Sequence, residues 1–236
     1  MIKLSERLKA IADQVLVGYP AADVGTDHAQ IPIYLLKNKR VPRMILSDNK
    51  AGPLKKAMEN LLASGITLDP ADLRKGDGLT VLACAEVSSV IIAGMGGLLI
   101  AEILSDDLKK SLSFQRLILQ PRTASADLRL WLIKNGFFVV VEQLVSEGQR
   151  LCEVITAEPR GRRPQQDSAW EALDYEISPL LFAQKDPSLK PFLEGKLLEA
   201  KRIRLNLENA RDPNVSIQIQ EAEERIRKLT ERKAKL

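Results

Sequence analysis

Apolar residues recur along this chain at two spacings, one typical of helices and one typical of strands. Helical spacing predicts an amphipathic helix over residues 3–17. After it, short apolar segments alternate with further helical segments. The predicted strands are 21–25, 43–47, 71–74, 87–93, 116–119, 137–144 and 151–157, and the helices between the first three strands are 28–37 and 51–64. Because strands that alternate with helices form parallel sheets, this pattern predicts an α/β fold with a Rossmann-like, doubly wound parallel sheet.

The pattern changes at Arg160-Gly161-Arg162-Arg163-Pro164, which we take as the boundary between two domains, 1–160 and 161–236. Beyond it, two apolar stripes flank the turn Asp212-Pro213-Asn214. The first comprises Leu193, Leu197, Ala200, Ile203, Leu207 and Ala210, and the second comprises Val215, Ile219, Ala222, Ile226 and Leu229. The second stripe has heptad spacing, so the pair predicts an antiparallel helical hairpin of coiled-coil type. The charged residues between the apolar positions either face solvent or contact RNA.

Composition limits the class of protein without naming a function. The chain is 45% apolar and 28% charged, which is typical of a globular protein, and it has no apolar run long enough for a membrane span. Its net charge of +4 divides evenly at Arg160, with 20 basic and 18 acidic residues in 1–160 and 15 and 13 in 161–236. This balance allows nucleic-acid binding but does not require it. One histidine and two cysteines argue against a metal site, and Cys84 and Cys152 are expected to be reduced core thiols of a cytoplasmic protein.

The most informative motif is Asp23-Val24-Gly25-Thr26-Asp27-His28-Ala29, at the end of the first predicted strand. A strand followed by a glycine turn and a helix receives a nucleotide-containing cofactor at this point of a Rossmann-like sheet. The motif lacks the glycines of G-x-G-x-x-G, and Asp27 would repel a pyrophosphate. A cofactor with a cationic centre and no phosphate, such as S-adenosyl-L-methionine, fits better. The motif therefore predicts a methyltransferase and argues against a dehydrogenase.

Polar or glycine-rich clusters follow the other predicted strands and extend the same site. Asp48 is placed to accept hydrogen bonds from two ribose hydroxyls, Asp77 from the amine of an adenine, and Met95 would form an apolar wall. Each residue alone could equally be an ordinary turn former. Their recurrence at successive strand ends predicts a cofactor site made of Asp23, Gly25, Asp48, Asn49, Asp77, Gly78, Gly94 and Met95.

Several segments together resemble the bacterial tRNA (adenine-22-N1) methyltransferase family. They are Leu4-Ser5-x-Arg7-Leu8, the Asp23–Ala29 motif, Gly76-Asp77-Gly78-Leu79, Gly94-Met95-Gly96-Gly97, Leu119-Gln120-Pro121 and Leu128-Arg129-x-Trp131-Leu132-x-x-Asn135-Gly136. The resemblance covers roughly residues 1–158 and extends in kind to the helical tail. Two positions depart from the family: Arg122 stands where members have asparagine, and Cys152 where an aromatic residue is frequent.

The resemblance implies a class I methyltransferase that transfers a methyl group from S-adenosylmethionine to a ring nitrogen of an adenosine in tRNA. Asp27 is expected to be the catalytic residue, accepting a hydrogen bond from the adenine amine, or else to cap the helix after it. His28 would contact the base or a phosphate, or make a structural hydrogen bond. Arg7, Arg122 and Arg129 would contact phosphates, or form surface ion pairs. The expected substrate-binding residues are Arg7, His28, Pro121 and Arg122.

Two other functions stay open at this stage. One is an enzyme of the same cofactor class that acts on another RNA position or on a small molecule, which the Arg122 departure motivates. The other is a non-catalytic interaction protein with the helical hairpin as a docking arm. The absence of an Asn-Pro-Pro-Tyr sequence argues against methylation of an amino nitrogen.

Overall fold

The computed structural model describes residues 3–160, 170–208 and 215–236. Their contacts form two compact units, Met1–Ile177 and Ser178–Leu236. The division falls after Ile177, whereas the change in composition predicts a boundary after Arg160. Residues 161–169, which follow that predicted boundary, lie outside the described part of the chain, as do Ala210 and the predicted turn at 212–214.

The first unit contains one sheet of seven strands. They are β1 Ala21–Val24, β2 Met44–Asp48, β3 Leu73–Lys75, β4 Ser89–Met95, β5 Arg116–Pro121, β6 Phe137–Glu147 and β7 Arg150–Pro159. Their order across the sheet is β3-β2-β1-β4-β5-β7-β6. The order reverses beside β1, which places the switch point between β1 and β4. The predicted Rossmann-like methyltransferase sheet is confirmed.

The first five strands are parallel, but β6 and β7 are antiparallel to their neighbours. The prediction of a wholly parallel sheet is therefore wrong at this edge. Only Gly148 and Gln149 separate β6 from β7, and Gly148 has a φ of +61°. A parallel crossover needs a dozen residues or more, whereas a two-residue turn with a glycine at positive φ joins antiparallel strands.

Helices cover both faces of the sheet. In the first unit they are α1 Glu6–Asp13, α2 Gln30–Lys37, α3 Ala51–Ala63, α4 Gly97–Ser105, α5 Leu108–Ser111, α6 Ser125–Lys134 and α7 Ala172–Glu176, with 3₁₀ turns at Pro70–Asp72 and Gly78–Val81. One core cluster joins α1, α2 and α3 to the sheet, and a second joins α4 and α6 to the other face. The central strand β4 is buried on both sides, which explains its near-continuous apolar sequence.

The second unit consists of α8 Pro179–Ala183, α9 Leu189–Glu208 and α10 Val215–Lys233. Glu194, near the start of α9, lies 2.8 Å from Lys233 at the end of α10, and Arg204 pairs with Glu223 at 2.9 Å. These pairs show that α9 and α10 are antiparallel, as predicted. Leu193, Ala200 and Leu229 from the predicted apolar stripes are buried.

The cysteines do not lie where the sequence analysis placed them. Both are free thiols, but Cys84 is exposed and Cys152 is half-buried, so neither is a core residue. Across residues 3–160, 170–208 and 215–236, no helix has the length and apolar character needed to cross a membrane.

Candidate active site

The predicted cofactor residues lie along one edge of the sheet. In register, Val24 of β1 stands beside Ser47 of β2 and Ile92 of β4, and Asp48 stands beside Lys75 of β3. Because these strands are parallel, their carboxyl ends, and the turns that follow them, occupy the same edge.

A cavity of about 510 Å³ opens at this edge, and we call it the first cavity. Its volume lies within the usual range for small-molecule sites. Six of the predicted site residues line it: Arg7, Asp23, Gly25, Asp27, His28 and Gly94. The fold therefore brings the N-terminal helix, the β1 turn and the β4 turn together around one space.

Gly25 gives the turn after β1 its shape. Its φ is +79°, a conformation that side chains rarely adopt, and its N–H donates to the Ser47 carbonyl at 2.8 Å. A Cβ at this position would overlap the terminal methyl group of Met95. Met95 thus packs directly on the turn, and the bare Gly25 backbone faces the first cavity.

Asp23 is the carboxylate at the end of β1 that lines the first cavity. Burial raises the pKa of its carboxyl group to about 6, and the nearby Thr26 hydroxyl offsets part of that rise. Ionised Asp23 is therefore under-solvated in the free protein. A cationic or hydrogen-bond-donating ligand in the first cavity would compensate its charge.

Asp48 and Asp77 follow β2 and β3 at the same edge, outside the lining of the first cavity. The Asp48 carboxylate is half-buried, and one of its oxygens accepts from the Lys50 backbone N–H at 2.8 Å. Its other oxygen points to no partner among the described residues. Asp77 and Asn49 are exposed. Gly78 has a φ of +49° and packs against Ile103. The cofactor roles of these four residues remain predictions.

Asp27 and His28 lie exposed at the mouth of the first cavity, next to a lysine that the sequence analysis did not consider. His28 Nε2 is 3.1 Å from Asp27 Oδ2 and 3.0 Å from Lys56 Nζ. This nitrogen can donate to the carboxylate or accept from the lysine, but it cannot do both. Lys56 Nζ also lies 3.9 Å from Asp27 Oδ1, so the carboxylate has two basic neighbours.

Asp27 does not cap the helix that follows it, so that alternative role is wrong. The N-cap of α2 is Ala29, which has a φ of +52°, and no side chain caps the helix. The left-handed residue turns the chain between Asp27 and the first helical residue, Gln30. The Asp27 carboxylate is consequently directed to the cavity mouth rather than to the helix N–H groups.

A second cavity of about 200 Å³ adjoins the first, and the two share Arg7, Gly94 and Glu147 in their linings. The remaining residues of the second cavity are Gln120, Pro121, Arg122, Ser125, Arg150, Leu151, Cys152 and Glu153. Pro121 and Arg122, predicted to bind substrate, thus lie beside the first cavity but not in it.

Arg7 holds the shared wall in place. Its Nε donates to Glu147 Oε1 at 2.6 Å, and its Nη1 donates to Gln120 Oε1 at 3.1 Å. Gln120 in turn donates to the Pro121 carbonyl at 2.9 Å. Through these bonds α1, the end of β5 and the tip of the β6–β7 hairpin form one connected rim around both cavities.

Arg129 is not a phosphate contact or a surface ion pair, and both of those expectations are wrong. Its side chain is buried, donates to Glu142 at 2.7 Å and to Glu153, and donates to the Tyr175 carbonyl at 2.8 Å. Burial lowers the pKa of its guanidinium, but the two carboxylates outweigh burial and hold that pKa above its usual value. Arg129 therefore joins α6 to the β6–β7 hairpin.

Several residues of the site were missed because they come from the hairpin or from α3. Glu147, Arg150 and Glu153 reach the second cavity only because β7 returns beside β5. The glycine two positions before Arg150 was the local signal for that reversal. Lys56 carries no motif of its own, and only its place on α3 brings it to His28.

The polar side chains and open backbone at this edge fit S-adenosylmethionine. Asp23 lines the first cavity, and its carboxylate favours a ligand that carries positive charge over one that carries a pyrophosphate. The open backbone at Gly25 allows a ligand to approach the turn closely. Asp48 stands at the neighbouring strand end with acceptor capacity for hydroxyl groups.

Comparison with known proteins identifies the family. Residues 4–155 match the model of a methyltransferase domain family. The chain is 34% identical over 185 residues to the tRNA (adenine(22)-N(1))-methyltransferase of Bacillus subtilis, a match that covers 78% of this chain and 77% of the relative.

Solved structures agree over almost the whole length. The crystal structure of the B. subtilis m1A22 tRNA methyltransferase TrmK superimposes with a TM-score of 0.84 at 29% identity, covering 98% of this chain and 99% of that one. The structure of M. capricolum TrmK in complex with S-adenosyl-homocysteine superimposes with a TM-score of 0.79 at 26% identity, covering 98% of each chain. The chain belongs to the tRNA (adenine(22)-N(1))-methyltransferase family.

Proposed function

We propose that this protein methylates N1 of an adenosine in tRNA, at position 22 by analogy with its relatives, and that it uses S-adenosylmethionine. One observation carries the proposal: two adjoining cavities share a wall made of Arg7, Gly94 and Glu147. The first cavity fits the methyl donor, and the second could admit a nucleotide next to it. Because tRNA is the substrate, we expect the protein to act in the cytoplasm.

The chemistry requires alignment more than acid or base groups. When bound, S-adenosylmethionine supplies a methyl group on a positively charged sulfur. Adenine N1 uses its lone pair to form the new N–C bond while the S–C bond breaks, so no proton has to leave in this step. Holding two reactants in line can supply about 7–11 kcal/mol in favourable systems. The turns after β1 and β4, fixed by Gly25 and Met95, provide that rigid frame.

Asp27 is the residue that we propose beside the target base. Its exposed carboxylate at the mouth of the first cavity would accept a hydrogen bond from the adenine amine. This bond makes N1 more electron-rich, and the negative charge stabilises the positive charge that the methylated ring acquires. His28 and Lys56 each lie next to one oxygen of this carboxylate. The target base has to leave its stack to reach this position, at a cost of a few kcal/mol.

The direct test is methyl transfer from labelled S-adenosylmethionine to unmodified tRNAs, followed by nucleoside mass spectrometry and mapping of the product. We expect 1-methyladenosine in the D arm of the tRNA. A different methylated nucleoside would favour the second candidate, a methyltransferase of the same fold with another RNA position. Arg122 in the second cavity is the observation behind that candidate. Binding of S-adenosyl-homocysteine without transfer to any tRNA would contradict the RNA substrate.

A further inference from the structure

Two arginine side chains in the second cavity have no partner. Arg122 follows β5, Arg150 begins β7, and both side chains are exposed. Neither guanidinium makes a hydrogen bond or ion pair within residues 3–160, 170–208 and 215–236. The other described arginines of the first unit all bond to a carboxylate or a carbonyl oxygen: Arg7, Arg40, Arg43, Arg74, Arg116, Arg129 and Arg160. Arg122 and Arg150 therefore differ from these arginines in having no bonded partner among the described residues. Both line the second cavity.

The carboxylates of the same cavity already pair with other arginines. Glu147 is 2.6 Å from Arg7, and Glu153 is paired with the buried Arg129. The lining therefore carries three arginines and two glutamates, and a net charge of +1 remains. Uncompensated guanidinium groups around a concave surface attract an anion.

We propose that the second cavity is a phosphate subsite, in which Arg122 and Arg150 bind a phosphodiester of the RNA backbone beside the target nucleotide. The guanidinium fork matches the geometry of phosphate oxygens and binds them with two parallel hydrogen bonds. The second cavity adjoins the first cavity at Gly94, so a bound phosphate would lie next to the site of the methyl donor. The identity of the anion as RNA rests on the proposed function.

This assignment also explains the departure at position 122. Arginine there exchanges a neutral amide for a cation, which favours an anion in the cavity. Arg150 stands on the other chain segment, at the start of β7. The pair thus links β5 and the hairpin through a common ligand instead of through a direct bond.

The test is the salt dependence of tRNA binding for Arg122→Gln, Arg150→Gln and the double variant. Each lost phosphate contact should weaken binding about tenfold for every tRNA sequence and reduce the slope of log K against log[salt] by about 1. The double variant should also lose about 1 in slope, because both arginines bind the same phosphate. Because both side chains are exposed, the variants should fold, and thermal unfolding checks this.

Lys37→Gln is the matched control. Lys37 ends α2, is exposed and has no side-chain partner among the described residues, and it lies at the opposite edge of the sheet. Its loss removes the same charge, so the slope should stay unchanged. A slope that falls equally in Lys37→Gln would mean a general charge effect and would overturn the subsite.

Two further measurements separate the sources of phosphate and the two proposals. Calorimetric titration with inorganic phosphate should show no binding. If inorganic phosphate instead binds, needs both arginines to do so, and the tRNA slopes stay unchanged, the cavity is a site for free phosphate. That result would overturn the RNA assignment. Methyl transfer by the unmodified protein is measured in parallel. If it methylates tRNA while both variants keep the original slope, the subsite is wrong and the proposed function stands.

Discussion

The terminal methyl group of Met95 lies in the space that a side chain on Gly25 would occupy. Gly25 follows β1 and Met95 ends β4, so the contact joins the two strands at the switch point of the sheet. Gly25 also has a φ of +79°. The backbone conformation therefore favours glycine here, and the Met95 contact packs against the turn that faces the first cavity.

Gly25→Ala should abolish most cofactor binding. Alanine in the left-handed conformation costs about 1–2 kcal/mol, and the end of the Met95 side chain would have to move away from the new Cβ. Calorimetry with S-adenosyl-homocysteine and urea unfolding measure the two effects. Gly18→Ala is the matched control, because Gly18 has a φ of +84°, no atom near its would-be Cβ and a place far from both cavities. It should lose stability through strain alone and keep its affinity. Equal affinity losses in both variants would show that the Met95 contact does not shape the site.

Much of this edge could be predicted because its signals are local. Apolar runs mark the parallel strands, and the glycines and aspartates that end them lie within a few positions of each strand. The β6–β7 hairpin depends instead on long-range pairing, which carries Glu147, Arg150 and Glu153 into the second cavity. The burial of Arg129 could not be predicted from the sequence either. An arginine is normally exposed, and only the packing of α6 against two hairpin carboxylates makes its burial possible.

Asp23 should make both stability and binding depend on pH. Its folded pKa of about 6 lies above the usual value of 3.8. The folded protein therefore holds the proton of Asp23 more tightly than the unfolded chain does. The stability that protonated Asp23 contributes is fully present below about pH 4 and is lost as the pH rises through 6. Asp23→Asn mimics the protonated form, so it should stabilise the ligand-free protein at pH 8 by up to about 3 kcal/mol. The difference should shrink towards pH 4. Urea unfolding at several pH values measures it.

The same variant should bind S-adenosyl-homocysteine more weakly at pH 8, because the amide cannot compensate the positively charged amino group of this ligand. Higher stability together with lower affinity would show that the charge of Asp23 costs stability in the free protein and serves to bind the cofactor. Unchanged affinity in Asp23→Asn would remove Asp23 from the cofactor site, whatever its effect on unfolding.

Asp27→Ala should reduce methyl transfer by about a hundredfold or more, the range typical for loss of one electrostatic contact to the reacting group. Because Asp27 is exposed and does not cap α2, the variant should fold and keep its affinity for S-adenosyl-homocysteine. Single-turnover kinetics with tRNA separate the two effects. Glu59→Ala, an exposed carboxylate on α3, serves as the control and should leave transfer unchanged. A parallel loss of cofactor affinity in Asp27→Ala would contradict the base-contact role.

Glu86 should support the fold down to acidic pH. Hydrogen bonds from Arg74 lower the pKa of Glu86 to about 2, although burial opposes them, and Arg43 and Asp72 complete the cluster. A depressed pKa contributes stability that is present above the usual value of 4.5 and is lost as the pH falls towards 2. Glu86→Gln should therefore cost about 3 kcal/mol at pH 7 and much less near pH 2. Denaturant unfolding at both pH values tests this, and a pH-independent cost would point to packing instead.

Arg129 should matter for stability more than any other ion-pairing arginine of the first unit within the described residues. Arg129→Met would leave Glu142 and Glu153 without their buried cation, and breaking a buried ion pair from one side typically costs about 3–5 kcal/mol. Arg116→Met is the comparison, because Arg116 pairs with Glu158 across β5 and β7 but is partly exposed, and its loss should cost clearly less. Adding Glu142→Gln to Arg129→Met should recover part of the loss, since it removes an uncompensated buried charge. If Arg129→Met were no more destabilising than Arg116→Met, the hairpin would have to be held to α6 by its apolar contacts alone.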